Sequence, residues 1–200
     1  MVLYLASGSP RRAELLQQIA APFSVLKAPD IDETPQAGEA PLAYVLRMAQ
    51  QKALAGERQR QQVGLGDGAV LGADTSVVLG AEILGKPRDP DHAIAMLQAL
   101  NGKSHQVISA VALIVAGEVH QAHSVTTVTF RCLDEARLAA YVATGEGNDK
   151  AGGYGIQGLG GALVASLSGS YSGVVGLPLE ALVSLMDEAG LDYWQTSIHG

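Results

Sequence analysis

The string LASGSPRR, residues 5–12, runs from an apolar stretch through a Ser/Gly turn straight into two arginines. The first turn of a helix offers unpaired N–H groups and the positive end of the helix dipole, and both attract anions. Arg11 and Arg12 in that turn repel the dipole. A bound polyanion explains such a cost, because arginine meets phosphate oxygens in a bidentate way. Ser7, Gly8 and Ser9 lie at the junction. Farther along, GADTSVVL at 72–79 sets Asp74 in a run that otherwise reads as buried strand. A carboxylate there is costly unless paired, metal-bound or catalytic. The bland alternative is an aspartate that bonds neighbouring backbone amides. Thr75 then points to the opposite face or into the terminal loop.

More cations lie downstream. LGKPRD at 84–89 carries Lys86 and Arg88, and NDKAGGYGIQG at 148–158 carries Lys150 among glycines that suit close backbone approach to a ligand. An acidic loop holds Asp30, Asp32 and Glu33, then Glu39, with Lys52 on the helix after it. Carboxylates without cysteine or histidine company select hard cations such as Mg²⁺ or Mn²⁺. Scattered cations, hard-metal carboxylates and one acid on an apolar strand are the parts for nucleophilic attack on a polyphosphate.

These side chains need elements to hold them. Residues 2–6 read as a buried strand. Pro10 opens a helix with Ser9 as its cap, and Leu15, Leu16 and Ile19 form one face. A short strand at 22–26 and a polar loop at 28–39 precede an amphipathic helix from Ala40 to about Gln61. Residues 69–79 form a strand, with Gly80 turning into a return strand at 82–84. Asp89 or Asp91 starts the next helix. Two long strands, 105–115 and 118–130, meet at Ala116-Gly117, and Asp134 caps a helix to about Ala143. After a loop at 144–155, residues 159–167 and 171–175 read as strands, and 178–189 as a closing helix. Hairpins mixed with βα units predict an α/β fold with a mixed sheet.

Two hundred residues fit a single domain, 1–200, and 48 % hydrophobic content supplies its core. A net charge of −7 argues against nucleic-acid or anionic-membrane partners, so any phosphate site is local. No apolar run spans a membrane and no signal peptide is evident, which makes the cytoplasm the expected compartment. Cys132 is the single cysteine and reads as a small buried side chain. NGKS at 101–104 resembles the end of a phosphate-binding loop, but position 97 is Leu where that motif needs Gly, so Lys103 reads as a solvated turn residue. Gly153, Gly155 and Gly158 satisfy G-x-G-x-x-G without the strand and helix a dinucleotide fingerprint requires; the residues after them read as extended. The histidines at 92, 105, 120, 123 and 199 lack metal-ligand spacing and read as structural or exposed. Arg58, Arg60 and Arg137 read as solvated.

Longer strings carry a further signal. LASGSPRRAELL, the DETP loop with RMAQQKA, LGADTSVVL, LGKPRD, GKSHQVISAVAL, DKAGGYGIQG and VVGLPLEAL stand in this order from about Leu3 to Leu182. In this the chain resembles the Maf family of nucleoside triphosphate pyrophosphatases. The resemblance implies a two-lobed fold with a nucleotide cleft between the lobes. It also implies metal-dependent cleavage of a nucleoside triphosphate to monophosphate and pyrophosphate. It makes Asp74 the catalytic aspartate, and Arg11, Thr75 and Gln157 the specificity positions, in a pattern similar to the dTTP/UTP branch. Family members often carry Glu-Pro before D-K-A-G, where this chain has Gly147-Asn148, which implies a more mobile loop.

On that footing Ser7, Arg11, Arg12, Lys52, Lys86 and Lys150 hold the triphosphate. Glu33 and Asp74 hold the divalent metal, Asp74 draws a proton from water, and Gln157 reads the base edge. Arg11 serves either phosphate or base. Two alternatives stand beside this reading: a pyrophosphatase for a purine or modified nucleotide, and a regulator of cell division acting through a protein partner. Monomer or homodimer is left open.

Overall fold

The computed structural model describes residues 1–27 and 30–195; His199 and residues 28 and 29 of the acidic loop lie outside it. In chain order it holds β1 (Val2–Leu5), α1 (Pro10–Gln18), β2 (Phe23–Val25), α2 (Pro41–Gln62), β3 (Gly68–Leu79), β4 (Glu82–Leu84) and α3 (Pro90–Leu100). Next come β5 (Ser104–Val115), β6 (Glu118–Phe130), α4 (Glu135–Ala143), β7 (Val164–Ser168), α5 (Tyr171–Val175) and α6 (Leu179–Ala189), with 3₁₀ turns at Ala151–Gly153 and Leu159–Leu163. The sheet runs β2-β1-β3-β5-β6-β7, with β4 added to β3. β1 lies parallel to β2 and β3, and the remaining pairings are antiparallel. The mixed α/β sheet expected from the hairpin signals is therefore present.

The register leaves a gap along β3. β1 accompanies it only from Val2↔Gly68 to Leu5↔Leu71, and β4 only from Val77↔Leu84 to Leu79↔Glu82. Between these, β5 pairs one side of residues 72–76, while the other side has no described strand partner. Strand alternation sends Val70, Gly72, Asp74 and Val78 toward α2, and Leu71, Ala73 and Thr75 to the opposite face.

Three apolar clusters hold this frame. Leu5, Leu71 and Leu113 pack with Leu15 and Leu16 of α1 and Leu182 of α6. On the other face Tyr4, Val70 and Ala112 pack with Val45, Met48, Ala49 and Ala53 of α2. Val77, Val107, Val128 and Phe130 join Leu97 and Leu100 of α3 and Leu138 of α4. Each fully buried leucine contributes about 1.5–3 kcal/mol by leaving water. Gly72 lets α2 lie against β3, because a Cβ there would strike the Ala49 carbonyl and the Ala53 amide.

Several expectations are corrected. Residues 159–163 form a 3₁₀ turn, and only 164–168 are strand. Residues 171–175 are helical: the Ser170 side chain accepts from the Gly173 amide, and this cap outweighs the β-branched run. Ser9 sits at the cap position of α1 but makes no side-chain cap; its amide donates to Ser7 Oγ at 3.2 Å. Cys132 is exposed. Arg60 is 8 % exposed, bound to Glu57 and to the Leu65 and Gly66 carbonyls past the end of α2. Asp89, rather than Asp91, caps α3. Lys103 is an exposed turn residue, and Arg58 and Arg137 are exposed as expected.

Candidate active site

β1 ends at Leu5, and the Ala6 amide still bonds the Leu71 carbonyl at 2.8 Å before the chain turns away into α1. A cleft of about 880 Å³ opens there, beside the unaccompanied stretch of β3. Sites beyond the carboxyl ends of strands are the usual place for ligands in open α/β sheets. The ten predicted side chains Ser7, Arg11, Arg12, Glu33, Lys52, Asp74, Thr75, Lys86, Lys150 and Gln157 all line it. Arg88 instead turns to His92 Nδ1, with its Nε 3.3 Å away. Glu39 also stays out, paired with Arg47 through two 2.6 Å bonds that pull its carboxyl pKa down to about 2. Asp32 is spent on the Thr34 amide at 2.9 Å.

At the centre Lys52 reaches across from α2. Its Nζ lies 2.7 Å from Asp74 Oδ1 and 2.8 Å from Glu33 Oε1. Asp74 is 7 % exposed, so the ammonium supplies the partner that a buried carboxylate needs. Glu33 is brought in by its loop, held where the Tyr44 hydroxyl donates to the Glu33 carbonyl at 2.9 Å and Arg47 Nη2 donates to the Thr34 carbonyl. Burial, reinforced by the charges of Asp74 and Glu33, pushes the Tyr44 phenol up to about 12.

The α1 side is cationic. Arg12 Nε donates to the Gly176 carbonyl at 2.9 Å, and Nη1 to Ser7 Oγ at 3.1 Å. Desolvation lowers its pKa, opposed by Asp74 and Glu33 and aided by Arg11. Thr75 meets the same carbonyl from the sheet at 3.3 Å and lies 2.8 Å from Ser109 Oγ, on the face opposite Asp74. Arg11 Nη1 lies 3.4 Å from Asp149 Oδ2, and Lys150 Nζ 2.7 Å from Asp149 Oδ1. These two bonds carry Asp149 below the ordinary carboxylate range, with the Lys150 bond the larger cause. Lys86 and Gln157 stand exposed at the rim.

The glycines of G-I-Q-G-L-G make close approaches, but to side chains of this chain. A Cβ on Gly155 would come within 2.8 Å of Lys150 Cε, one on Gly158 within 2.8 Å of Glu146 Cδ, and one on Gly160 within 2.7 Å of the Tyr141 hydroxyl. Glu146, Tyr44 and Tyr154 also line the cleft, and sequence reasoning misses all three. A glutamate in a Gly-rich loop carries no spacing signal. Gly147 packs on the Gly153 carbonyl, so the loop expected to be loose is close-packed at that residue. Among the described residues no group of three or more His, Cys, Asp or Glu side chains converges as a ready-made metal site.

Fold and cleft together define a class: a mixed-sheet α/β protein with cations ranged around a paired aspartate at the unaccompanied stretch of its long central strand. The chain belongs to the Maf family; the family profile described as Maf-like protein matches residues 2–189. It is 65 % identical over 195 residues to the dTTP/UTP pyrophosphatase of Alcanivorax borkumensis, covering 98 % of this chain and 99 % of the relative. It is 54 % identical to the dTTP/UTP pyrophosphatase of a Shewanella species (96 % and 100 % covered) and 50 % identical to that of Shigella sonnei (92 % and 91 %). Among solved structures it is similar to the Staphylococcus aureus Ham1 protein at a TM-score of 0.43 and 12 % identity, over 65 % of this chain and 72 % of the other.

Proposed function

We propose that this chain hydrolyses dTTP and UTP to the monophosphate and pyrophosphate. The observation that carries the reading is the buried Asp74–Lys52 pair at the unaccompanied stretch of β3, inside a cleft rimmed by Arg11, Arg12, Lys86 and Lys150. The names of its relatives point to the same substrates.

Ser7, Arg11, Arg12, Lys52, Lys86 and Lys150 bind the triphosphate. Lys52 holds Oδ1 of Asp74, which leaves Oδ2 to take a proton from water as general base. The water oxygen bonds to the α-phosphorus while the bond to the bridging oxygen breaks. Pyrophosphate leaves with that electron pair, its charge met by the surrounding cations. Gln157 presents an amide donor and acceptor to the pyrimidine edge.

Glu33 and Asp74 are the residues that would hold Mg²⁺ or Mn²⁺. Their carboxylate oxygens already converge on one cation, the Lys52 ammonium, and a magnesium ion commonly takes one or two carboxylates with phosphates and water completing its shell. When bound, such an ion supplies charge neutralisation on the phosphates. On this reading the enzyme is one domain whose two lobes flank the cleft, and it works on free nucleotides in the cytoplasm. No helix among the described residues is long and apolar enough to cross a membrane.

Pyrophosphate release from dTTP, UTP, CTP, GTP and 7-methyl-GTP, with and without Mg²⁺, tests the proposal. Turnover of dTTP and UTP, abolished by a chelator, is expected. Preference for a purine triphosphate overturns the substrate assignment, and no pyrophosphate from any of the five overturns the reaction.

A further inference from the structure

A carboxylate lining a cleft built for polyanions is electrostatically out of place unless its charge is consumed locally. Glu146 is such a group, and its oxygens are already taken. Oε1 accepts from the Tyr141 hydroxyl at 3.0 Å and the Gly160 amide at 2.8 Å; Oε2 accepts from the Leu159 amide at 2.7 Å. Its main-chain carbonyl accepts from Lys150 Nζ. The Tyr141 hydroxyl also accepts from the Gly155 amide at 3.1 Å. Burial would raise the Glu146 carboxyl, but the Gly160, Leu159 and Tyr141 bonds and Lys150 bring it below its ordinary value.

Every one of those amide donors belongs to the segment 155–160, and Gln157 sits in its middle. Ile156 packs against the apolar interior, Gln157 is exposed, and both line the cleft. Gly158 has no room for a Cβ because the Glu146 carboxylate fills that space. The segment is folded around this one anion.

We infer that Glu146 is a positioning residue: it anchors the segment 155–160 and so sets where the Gln157 amide meets the nucleobase. The inference rests on the reading of Gln157 as the group that faces the base. Phosphate holding and proton transfer belong to other side chains; of these Lys150 bonds Glu146 through the main-chain carbonyl, a contact that a change of the Glu146 side chain leaves in place.

The test is Glu146→Gln. This variant keeps an acceptor for Tyr141 and Gly160 but turns an amide donor toward the Leu159 N–H. Losing a charge-assisted bond of this kind predicts a KM for dTTP about tenfold higher, with kcat changed by less than about twofold. Inhibition by inorganic tripolyphosphate, which has no base, stays unchanged, and the preference for UTP over CTP narrows. Hydrogen exchange at the Leu159 and Gly160 amides accelerates at least about tenfold. Tyr141→Phe, which removes the hydroxyl bridging Gly155 and Glu146, moves the same readouts by a smaller factor and decides the matter if Glu146→Gln does not fold. Parallel losses for dTTP and tripolyphosphate, a fall in kcat alone, or no change in KM or exchange each overturn the anchor. A wild-type protein that turns over dTTP beside such a variant sinks the anchor alone. A wild-type protein without pyrophosphatase activity sinks the functional reading, and amide exchange then still reports on the anchor.

Discussion

Lys52 pairs with two carboxylates at once, one of them buried. Lys52→Met leaves Asp74 buried without a partner and should cost roughly 3 kcal/mol in urea unfolding. Asp74→Asn should cost well under half of that, because Lys52 keeps Glu33. Equal losses would show that the pair is not the main stabilising contact. Asp74 is legible in the sequence because a charge in an apolar run is conspicuous. Arg60, Cys132 and Glu146 are not, since their burial or pairing depends on residues that meet them only after folding. Arg60 ends buried on the Leu65 and Gly66 carbonyls, and Cys132 ends exposed, the reverse of what residue type suggests.

Elements set the distance between Asp74 and Lys52. Gly72, two residues before Asp74 on the same face of β3, lets the Ala49–Ala53 stretch of α2 come into contact with the strand. Gly72→Ala therefore pushes α2 outward and carries Lys52 with it. Overpacking of this kind costs about 1–3 kcal/mol. A lowered Tm together with a fall in dTTP turnover is expected, and a variant with wild-type Tm and rate would contradict the packing argument. Most elements are readable because their apolar periods and caps agree: the long strands β5 and β6 with their Ala116-Gly117 turn, and α3 behind Asp89. Residues 159–163 and 171–175 are not, although 164–168 between them are strand as expected. At 171–175 strand-favouring side chains contend with the Ser170 cap and with Ser109 Oγ donating to the Gly173 carbonyl at 2.5 Å, and these hydrogen bonds prevail.

At the scale of the whole molecule, net charge and burial act together. The chain carries −7 overall, yet its cleft gathers arginine and lysine, a local reversal that a residue count does not reveal. Near the start of β5, His105 is enclosed by Phe130 and Tyr154, with Nε2 2.8 Å from the Tyr154 hydroxyl. Burial lowers its pKa from 6.5 to about 4. The unfolded chain then takes up the proton first as pH falls, so the His105 contribution is whole above about pH 6.5 and is lost toward about pH 4. The full loss is roughly 3 kcal/mol at about 1.4 kcal/mol per pH unit. Unfolding free energy measured across that range should slope downward in the wild type and less steeply in His105→Gln. Identical slopes would contradict the assignment. The mixed sheet is legible from hairpins and βα units. The gap along β3 is not, because it arises from where β1 stops and β4 starts on a third strand.

The central claim is that Asp74 draws the proton from the water that attacks the α-phosphorus. Asp74→Asn keeps the shape and removes the base. Steady-state pyrophosphate release from dTTP should then fall in kcat by about 10²–10⁴-fold with KM little altered. A kcat for Asp74→Asn near that of the wild type would contradict the account.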